Sequence, residues 1–358
     1  MIYIVTDKIF PFDRDGGTAF TSYETAYYCS QALGLKTEVL YHGNANLDQA
    51  DIVQSLPFSM TSMPSNAGCM VKLNKIVSND TVFLNSAFKF WEIYYLYLAI
   101  TSKCEVYFSA HGSFDVELLK KSPLKVAYIN IFVRPFLLFC KKYVCNSSGE
   151  LHKLPGFISS KSVVVENLFP INTSSFELKE MPDDKNTSSK ISVLDNPYVI
   201  FGRIDTKKNI LKTVSRLFKI GFFENQNLLI IGPETSSGYC KIISELGSEL
   251  GIEDKIDIQN RLISGSDKIR LFNEVSGLLL FSDSEGLPVV ILESLLAGCR
   301  CICSSGCNVS HLKKYVEIID LENLQYEDFV RVSPKVIDYA ADVGRKKLKE
   351  LLIFDSTT

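Results

Sequence analysis

The stretch GLLLFSDSEGLPVVILESLLAGCRCIC, residues 277–303, decides the fold. It opens with an apolar run, turns at Gly286 and Pro288, continues for the length of a helix and ends on a second short run. Proline fits the start of a helix because the N–H that it lacks has no partner there. The stretch therefore predicts a strand, a turn, a helix and a second strand, which is the repeating unit of parallel sheets.

The same alternation extends along the whole chain. Because single cores stop growing near ~250 residues, a chain of 358 residues is expected to form two domains. The predicted fold class is α/β, with two Rossmann-like, doubly wound parallel sheets. The predicted strands are residues 2–6, 37–41, 81–85, 105–109, 143–146 and 162–166 in the first half, and 198–201, 227–231, 255–258, 277–281, 300–303 and 316–320 in the second.

The domain boundary is predicted from a change in composition. Residues 172–197 are rich in Ser, Thr, Asn, Asp and Lys and have little apolar periodicity, which is typical of a linker. The predicted domains are residues 1–195 and 196–335. Residues 336–358 carry apolar residues at helical spacing and predict a surface helix, with packing back on the first domain as one arrangement.

Composition and charge exclude several classes of protein. A formal net charge of −3 gives no general positive field, so a nucleic acid is not the expected partner. The opening MIYIVTDK lacks the pattern of a secretion signal, so the ten cysteines are expected to be free thiols in the cytosol. Cys299, Cys301, Cys303 and Cys307 do not have the spacing of zinc ligands and are expected to be small buried hydrophobes. No apolar run reaches the ~18 residues of a membrane span.

Polar residues that could bind a ligand follow the predicted strands of the second half. Glu285 lies in the turn after residues 277–281, and Glu293 lies about two turns into the helix. A carboxylate can accept hydrogen bonds from two vicinal hydroxyls, so each glutamate is a candidate to hold a polyol. Arg203 and Lys208 follow residues 198–201 and would neutralise a diphosphate, with Lys207 as the alternative to Lys208. The alternative interpretation of these residues is a set of solvated surface charges.

These motifs, taken in order, resemble glycosyltransferase family 4, the retaining enzymes of GT-B architecture with two Rossmann-like domains that face a central cleft. The resemblance is carried by Gly202-Arg203 with Lys208, by IIGP at residues 230–233, and by Glu285-x7-Glu293. It implies that Arg203 and Lys208 bind the donor diphosphate, that Glu285 contacts the donor sugar and that Glu293 contacts the ribose. It further implies donor contacts at Gly202, Gly286, Leu287 and Pro288, and places the base near Asn260, Arg261 and Leu262.

The first half carries two further candidate sites. Gly16 and Gly17 precede a predicted helix, where the backbone can approach an anion closely, and the resemblance places them between the acceptor and the donor phosphate. His111 ends a predicted strand, where an imidazole that titrates near neutrality can donate to a sugar hydroxyl or a leaving phosphate. A structural histidine is the alternative. Ser147 and Glu150 match a Ser-x-x-Glu pattern of the family and are interpreted mainly as structural or acceptor-side residues.

The segment 118–149 has six basic residues and no acid, with aromatic residues between them. This pattern favours peripheral contact with an anionic membrane, where a lipid-linked acceptor would dock. The alternative interpretation is a buried helix with a solvated basic face.

The function expected from the resemblance is transfer of a sugar from a nucleotide-diphosphate donor to a glycan or lipid-linked glycan, with retention, in surface polysaccharide or lipopolysaccharide biosynthesis. No Asp-x-Asp pair ends a strand in the second half, so neither an essential metal nor another cofactor is expected. Two alternatives stay open: a nucleotide-sugar epimerase of GT-B-like fold, and a catalytically silent partner subunit.

Overall fold

The chain divides into two compact units. The described residues of the first unit lie within Met1–Ile171, and those of the second lie within Asn172–Ala340. A computed structural model describes residues 1–7, 9, 17–43, 56–66, 68–73, 75–120, 122–167, 192, 194–263 and 265–330. The predicted C-terminal helix, residues 336–358, and nearly all of the predicted linker, residues 172–197, lie outside these ranges.

The first unit is built on a seven-stranded parallel sheet. Its spatial order is β3-β2-β1-β4-β5-β6-β7, which is the doubly wound order expected from the sequence. The strands are β1 Ile2–Thr6, β2 Thr37–Tyr41, β3 Ser59–Ser62, β4 Thr81–Asn85, β5 Glu105–Ser109, β6 Lys142–Cys145 and β7 Ser162–Val164. The helices are α1 Gly17–Tyr27, α2 Gly68–Leu73, α3 Glu92–Thr101, α4 Val116–Lys120, α5 Pro123–Tyr128, α6 Arg134–Phe139, α7 Ser148–Lys153 and α8 Gly156–Ser159.

The second unit is built on a six-stranded parallel sheet of order β10-β9-β8-β11-β12-β13. The strands are β8 Tyr198–Phe201, β9 Leu228–Ile231, β10 Ile256–Gln259, β11 Gly277–Leu280, β12 Cys301–Cys303 and β13 Glu317–Ile318. The α-helices are α9 Ile210–Lys219, α10 Tyr239–Glu249, α11 Gly265–Glu274, α12 Val289–Leu296 and α13 Glu327–Val330. The predicted strands are confirmed in both sheets, with ends that move by at most two residues.

Central strands form where the sequence is continuously apolar, because helices cover both faces of a parallel sheet. β9 (LLII) and β11 (GLLL) are buried along their whole length. β3 was not predicted because its sequence, SMTS, is polar. It is an edge strand of exposed and half-buried residues, and pairing with β2 rather than burial makes it a strand. No helix among the described residues is long and apolar enough to cross a membrane.

The loops that leave β8 and β9 touch at two glycines. Gly232 has a φ of +152°, and a Cβ added to it would lie 1.9 Å from the carbonyl oxygen of Gly202. Both the backbone conformation and this contact therefore require glycine at position 232.

We predict that Gly232→Ala lowers the free energy of unfolding of the second unit by about 3 kcal/mol, because the added methyl group forces the two loops apart. Gly238→Ala is the matched control: its φ is +78° and no heavy atom lies within 4 Å of the added Cβ, so only about 1 kcal/mol is expected. Urea unfolding followed by circular dichroism measures both. Equal losses in the two variants would contradict the requirement for close approach.

Candidate functional site

The site residues of the second unit lie where the order of its sheet reverses. β8 and β11 are neighbours, and the chain proceeds from them toward opposite edges of the sheet. The loops that follow such a pair of strands diverge and leave a crevice at the carboxyl ends, where ligands of doubly wound sheets bind. Arg203 and Lys208 follow β8, and Glu285 follows β11.

Lys208 and Glu285 form an ion pair across these two loops. The Nζ of Lys208 lies 2.6 Å from Oε1 of Glu285, and the two side chains are 12% and 25% exposed. Lys208 ends a single 3₁₀ turn, residues 206–208, which begins where Asp205 accepts a hydrogen bond from the backbone N–H of Lys207. The short turn aims the lysine back at the crevice, so residues that are 77 positions apart meet.

Glu285 stays ionised although it is largely buried. Burial raises the pKa of this carboxyl, but the charge and hydrogen bond of Lys208 lower it, with help from Ser282 and the charge of Arg203, and the net result is a pKa below the usual value. Glu285 is therefore a hydrogen-bond acceptor at neutral pH. Arg203 is 58% exposed, with its Nε 4.0 Å from Oδ2 of Asp205, so the guanidinium faces solvent beside the ion pair.

Two asparagines that the sequence analysis did not identify fix the loops. Asn209 has a φ of +52°, and its Nδ2 donates to the carbonyl oxygen of Phe281 at 3.0 Å and to Oδ1 of Asp283 at 2.5 Å. Asn308 donates to the carbonyl oxygen of Glu285. The backbone N–H of Glu285 donates to the carbonyl oxygen of Gly306 at 2.9 Å. The backbone N–H and the backbone C=O of Glu285 are thus both held by the loop after β12.

Glu293 is paired with a lysine that no sequence pattern identified. Nζ of Lys268, on α11, lies 2.7 Å from Oε1 of Glu293, and both side chains are largely buried. The same ammonium lies 5.5 Å from the ring centre of Phe201. Glu293 is the fifth residue of α12, earlier than expected, because Pro288 is the residue before the helix and not part of its first turn. Gly286, Leu287 and Pro288 are buried ahead of it.

Arg261 and Leu262 follow β10, two strands along the sheet from β8. Nε of Arg261 donates to Oε1 of Gln259 at 2.8 Å, and Oδ1 of Asn260 accepts from the backbone N–H of Glu234 at 2.9 Å. The contact between Asn260 and Glu234 ties the ends of β9 and β10 together. The position of the base beside them stays a prediction.

In the first unit, His111 follows β5 in a left-handed conformation, with a φ of +47°. Its Nδ1 lies 2.8 Å from Nδ2 of Asn146. Because an amide nitrogen only donates, Nδ1 accepts and the neutral ring carries its proton on Nε2. Burial lowers the pKa of His111 to about 4, so the expectation of titration near neutrality is wrong. The neutral imidazole can donate a hydrogen bond from Nε2 at neutral pH.

Glu150 holds the loop that carries His111. Its backbone N–H donates to Oγ of Ser147 at 3.0 Å, which caps the start of α7. Its carboxyl group accepts from the backbone N–H of Gly112 at 2.8 Å and of Asn146 at 2.7 Å, so one side chain joins the loops after β5 and β6. Burial raises the pKa of Glu150 to about 7 in spite of these hydrogen bonds.

His111 lines a pocket of mixed polar and apolar residues at the carboxyl ends of β4 to β7. Oγ of Ser109 and Nε2 of His111 are buried there with no hydrogen-bond partner among the described residues. A buried polar group without a partner is costly, so these atoms are suited to bind a ligand hydroxyl. Other polar residues of the lining are Thr21, Thr25, Asn85, Asn146, Glu166 and Asn167.

The glycine pair of the first unit is described only in part. Gly17 is the first residue of α1, so the helix begins one residue earlier than expected, and Gly16 lies outside the described residues.

No three His, Cys, Asp or Glu side chains within the described part of the chain are grouped so that they could hold a metal ion. All ten cysteines are free, and Cys299, Cys301, Cys303 and Cys307 are buried as expected of small hydrophobes.

We predict that Glu150→Gln removes the contribution of Glu150 ionisation to the pH dependence of the first unit's unfolding free energy. Because the folded pKa is about 7 against an ordinary 4.5, the wild type gains stability from protonated Glu150 at low pH and loses about 3 kcal/mol of it as pH rises from 4.5 to 7. Glutamine cannot ionise, so the difference in unfolding free energy between the two proteins changes by that amount over this window.

The only tryptophan, Trp91, is buried in the first unit, so its fluorescence during urea unfolding at about pH 5 and pH 8 gives the measurement. His42 and His111, whose pKa values burial lowers to about 4, contribute with the opposite sign but equally to both proteins and cancel. A difference independent of pH would contradict the role of Glu150.

Both the sequence and the fold are similar to those of known proteins. Residues 184–316 match the family model for glycosyl transferases group 1. Among curated proteins, none matches the sequence. The structure of HepE (Alr3699) from Anabaena in complex with UDP and glucose has a TM-score of 0.68 at 12% identity, over 99% of this chain and 98% of that chain.

Two more solved structures are similar over nearly their whole length. A glycosyltransferase from Rickettsia africae has a TM-score of 0.68 at 19% identity, covering 98% of both chains. WaaG, a glycosyltransferase involved in lipopolysaccharide biosynthesis, has a TM-score of 0.60 at 13% identity, over 98% of this chain and 94% of that chain. The chain thus has the α/β fold of GT-B glycosyltransferases, and its segment 184–316 matches the group 1 family of these enzymes.

Proposed function

We propose that this protein is a retaining glycosyltransferase of family 4 that transfers a hexosyl group from a nucleotide-diphosphate sugar to a glycan or lipid-linked glycan, in the synthesis of a surface polysaccharide or lipopolysaccharide. The observation that carries the proposal is the Lys208–Glu285 ion pair, with Arg203 beside it, at the point where the second sheet reverses its order. The match of residues 184–316 to group 1 glycosyltransferases and the UDP bound to the HepE structure support it.

The ion pair suggests how a donor would bind. A diphosphate would attract the ammonium of Lys208 and the guanidinium of Arg203, both of which make strong charge-assisted hydrogen bonds to phosphate oxygens. Lys208 would then leave Glu285, whose Oε1 becomes available to accept from hydroxyls of the donor sugar. Donor binding would thus exchange Glu285 for a phosphate as the partner of Lys208. A sugar diphosphate has a phosphate for Lys208 and hydroxyl groups for Glu285.

Glu293 is suited to the ribose. Its Oε1 is held by Lys268, which fixes the side chain, and its other carboxylate oxygen can accept from a ribose hydroxyl. The backbone of Gly286 and Leu287 would lie beside the sugar and the phosphates, just before the N-terminus of the helix that begins at Val289.

In the transfer step, the bond between the anomeric carbon and the phosphate oxygen breaks while the acceptor hydroxyl oxygen bonds to the same carbon from the same face. The departing phosphate takes the proton of that hydroxyl, so atoms and charge balance. Arg203 and Lys208 would stabilise the diphosphate as its charge develops, and no essential metal is expected. Ser109 and His111 would bind hydroxyl groups of the acceptor in the pocket of the first unit, with His111 as a neutral donor.

The first test is thermal unfolding with UDP-, GDP-, ADP- and CMP-sugars, each with and without a chelator. A donor at a hundredfold over its dissociation constant adds roughly 2.7 kcal/mol of stability. We expect one nucleotide class to stabilise the wild type with the chelator present, and Arg203→Ala or Lys208→Met to weaken binding by about tenfold or more. Lys207→Met, which changes the exposed neighbour of Lys208, is the matched control and should bind as the wild type does.

Stabilisation by no nucleotide sugar would favour the silent partner subunit. Loss of binding in Lys207→Met but not in Lys208→Met would move the phosphate contact to Lys207. A product assay without an acceptor separates transfer from epimerisation, because only an epimerase converts the donor alone.

A second prediction concerns Glu285→Gln. Glutamine is uncharged, so it no longer competes with a diphosphate for Lys208, and UDP should bind at least as tightly as to the wild type if UDP is the nucleotide found above. Sugar transfer should fall by about a hundredfold, because the carboxylate that holds the donor sugar is gone. Isothermal titration and a transfer assay give the two quantities. Weaker binding of UDP together with slower transfer would contradict the exchange of partners.

A further inference from the structure

An unusual amount of apolar side chain is exposed on one side of the first unit. Residues 123–139 run as α5, a π turn at Ile129–Val133, and α6. Their exposed positions include Leu124 (83% exposed) and Ile131 (62%), with Val126, Leu138 and Phe139 also exposed. The spacing 124, 131, 138 keeps one stripe of the helix facing outward. Asn130 and Arg134 are the polar residues among the exposed positions of 123–139.

Helix α3 presents a second apolar stripe next to the first. Ile93, Tyr97 and Ile100, at spacings of four and three residues, are exposed, and so is Phe90 (85%) just before the helix. α3 joins β4 to β5, and α5 and α6 join β5 to β6, so right-handed crossovers place them on the same side of the sheet. α3 packs beside α6, and Tyr128 of α5 donates to the buried Glu92 of α3 beneath the surface.

We call these two stripes together the outer face. It holds nine of the thirteen large hydrophobic side chains that are exposed in the described part of the chain, so the exposure is local and not a general property of the surface. The helices have their buried sides fully engaged with the core through Trp91, Tyr95, Ile129, Val133 and Phe136. Within the described part of the chain, the outer face therefore has no remaining role in packing the first unit.

The net charge around the outer face is positive. Lys125 lies over the ring of Phe88, with 5.1 Å from Nζ to the ring centre, and Arg134 lies 5.3 Å from the ring centre of Phe157. Lys142 is exposed at the far end. The acids of the neighbouring elements are already engaged: Glu117 pairs with Lys120, Glu105 pairs with Lys141, and Glu92 is buried.

We propose that the outer face docks on a bilayer that contains anionic phospholipids. Leu124, Ile131, Leu138 and Phe90 would enter the boundary between head groups and acyl chains, and the lysines and Arg134 would meet the lipid phosphates, which is the arrangement of a protein that lies on a membrane without crossing it. A protein partner that covered this face would have to offer both a wide apolar surface and acidic groups around it. A bilayer offers an apolar interior and anionic head groups however the protein is rotated about the membrane normal.

This inference does not depend on the proposed function, but it adds to it, since a protein held on a bilayer meets lipid-linked acceptors in two dimensions. It also replaces the sequence alternative of a buried helix with a solvated basic face, because the exposed positions of residues 123–139 are mainly apolar.

The test is co-sedimentation of the full chain with vesicles of phosphatidylcholine alone and with vesicles in which about a third of the lipid is phosphatidylglycerol. We expect binding to the anionic vesicles, weakening as salt is raised. Ile131→Glu should reduce binding by at least about tenfold, because a charged side chain replaces an apolar one at the centre of the face. Ile242→Glu, the same change at an exposed position of α10 in the second unit, is the matched control and should bind as the wild type does.

Absence of wild-type binding to the anionic vesicles would overturn the proposal, and so would equal binding by the two variants. If size-exclusion chromatography with light scattering shows a dimer that Ile131→Glu converts to a monomer, the occupant is a second copy and not a bilayer. Stabilisation by the donor, measured on the same variants, should be unchanged by Ile131→Glu, so a failure of membrane binding is distinguishable from a failure of the proposed function.

Discussion

The ion pair between Lys208 and Glu285 depends on one constraint, which is that all strands of each sheet are parallel. Parallel strands bring their carboxyl ends to one edge, and the reversal of order between β8 and β11 opens the loops there. The pair then needs support, because a buried charge without a partner is expensive. Asn209, Asn308 and the backbone of Gly306 provide it by holding both loops.

Two buried glutamates respond to burial in opposite ways, and the difference follows from their neighbours. Glu285 has an ammonium at 2.6 Å and a pKa below the usual value. The Glu150 carboxyl group accepts hydrogen bonds from the uncharged backbone N–H groups of Gly112 and Asn146, and its pKa rises to about 7. A carboxylate held by a cation can exchange that cation for a ligand. A carboxyl group held by two backbone N–H groups instead fixes the loops that carry it.

The outer face uses the same fold in another way. The crossover helices of a parallel sheet normally bury an apolar stripe and expose a polar one. α3, α5 and α6 bury one apolar stripe and expose another, and Lys125 and Arg134 accompany the exposed stripe. The site loops leave the carboxyl ends of the strands, whereas the outer face is formed by helices beside the sheet, so the two features can be altered independently.

The sequence by itself determined the fold class and most strands, because a continuous apolar run between turn signals is a local property of the chain. It also pointed to Arg203, Lys208, Glu285 and His111 as candidates, since each lies in a loop after a strand, and to Glu293, which lies in the helix that follows. It did not identify β3, which is polar and forms through pairing with β2.

Only the tertiary structure decided which partners these residues have. Lys268 meets Glu293 from 25 positions away, and Asn209 reaches Phe281 across 72. Glu150 bonds Gly112 across 38 positions. Partners at such distances follow from the order of strands in the sheet, which no local pattern records. The pKa of His111 and the apolar character of the outer face depend on burial, and burial is settled only when the elements pack.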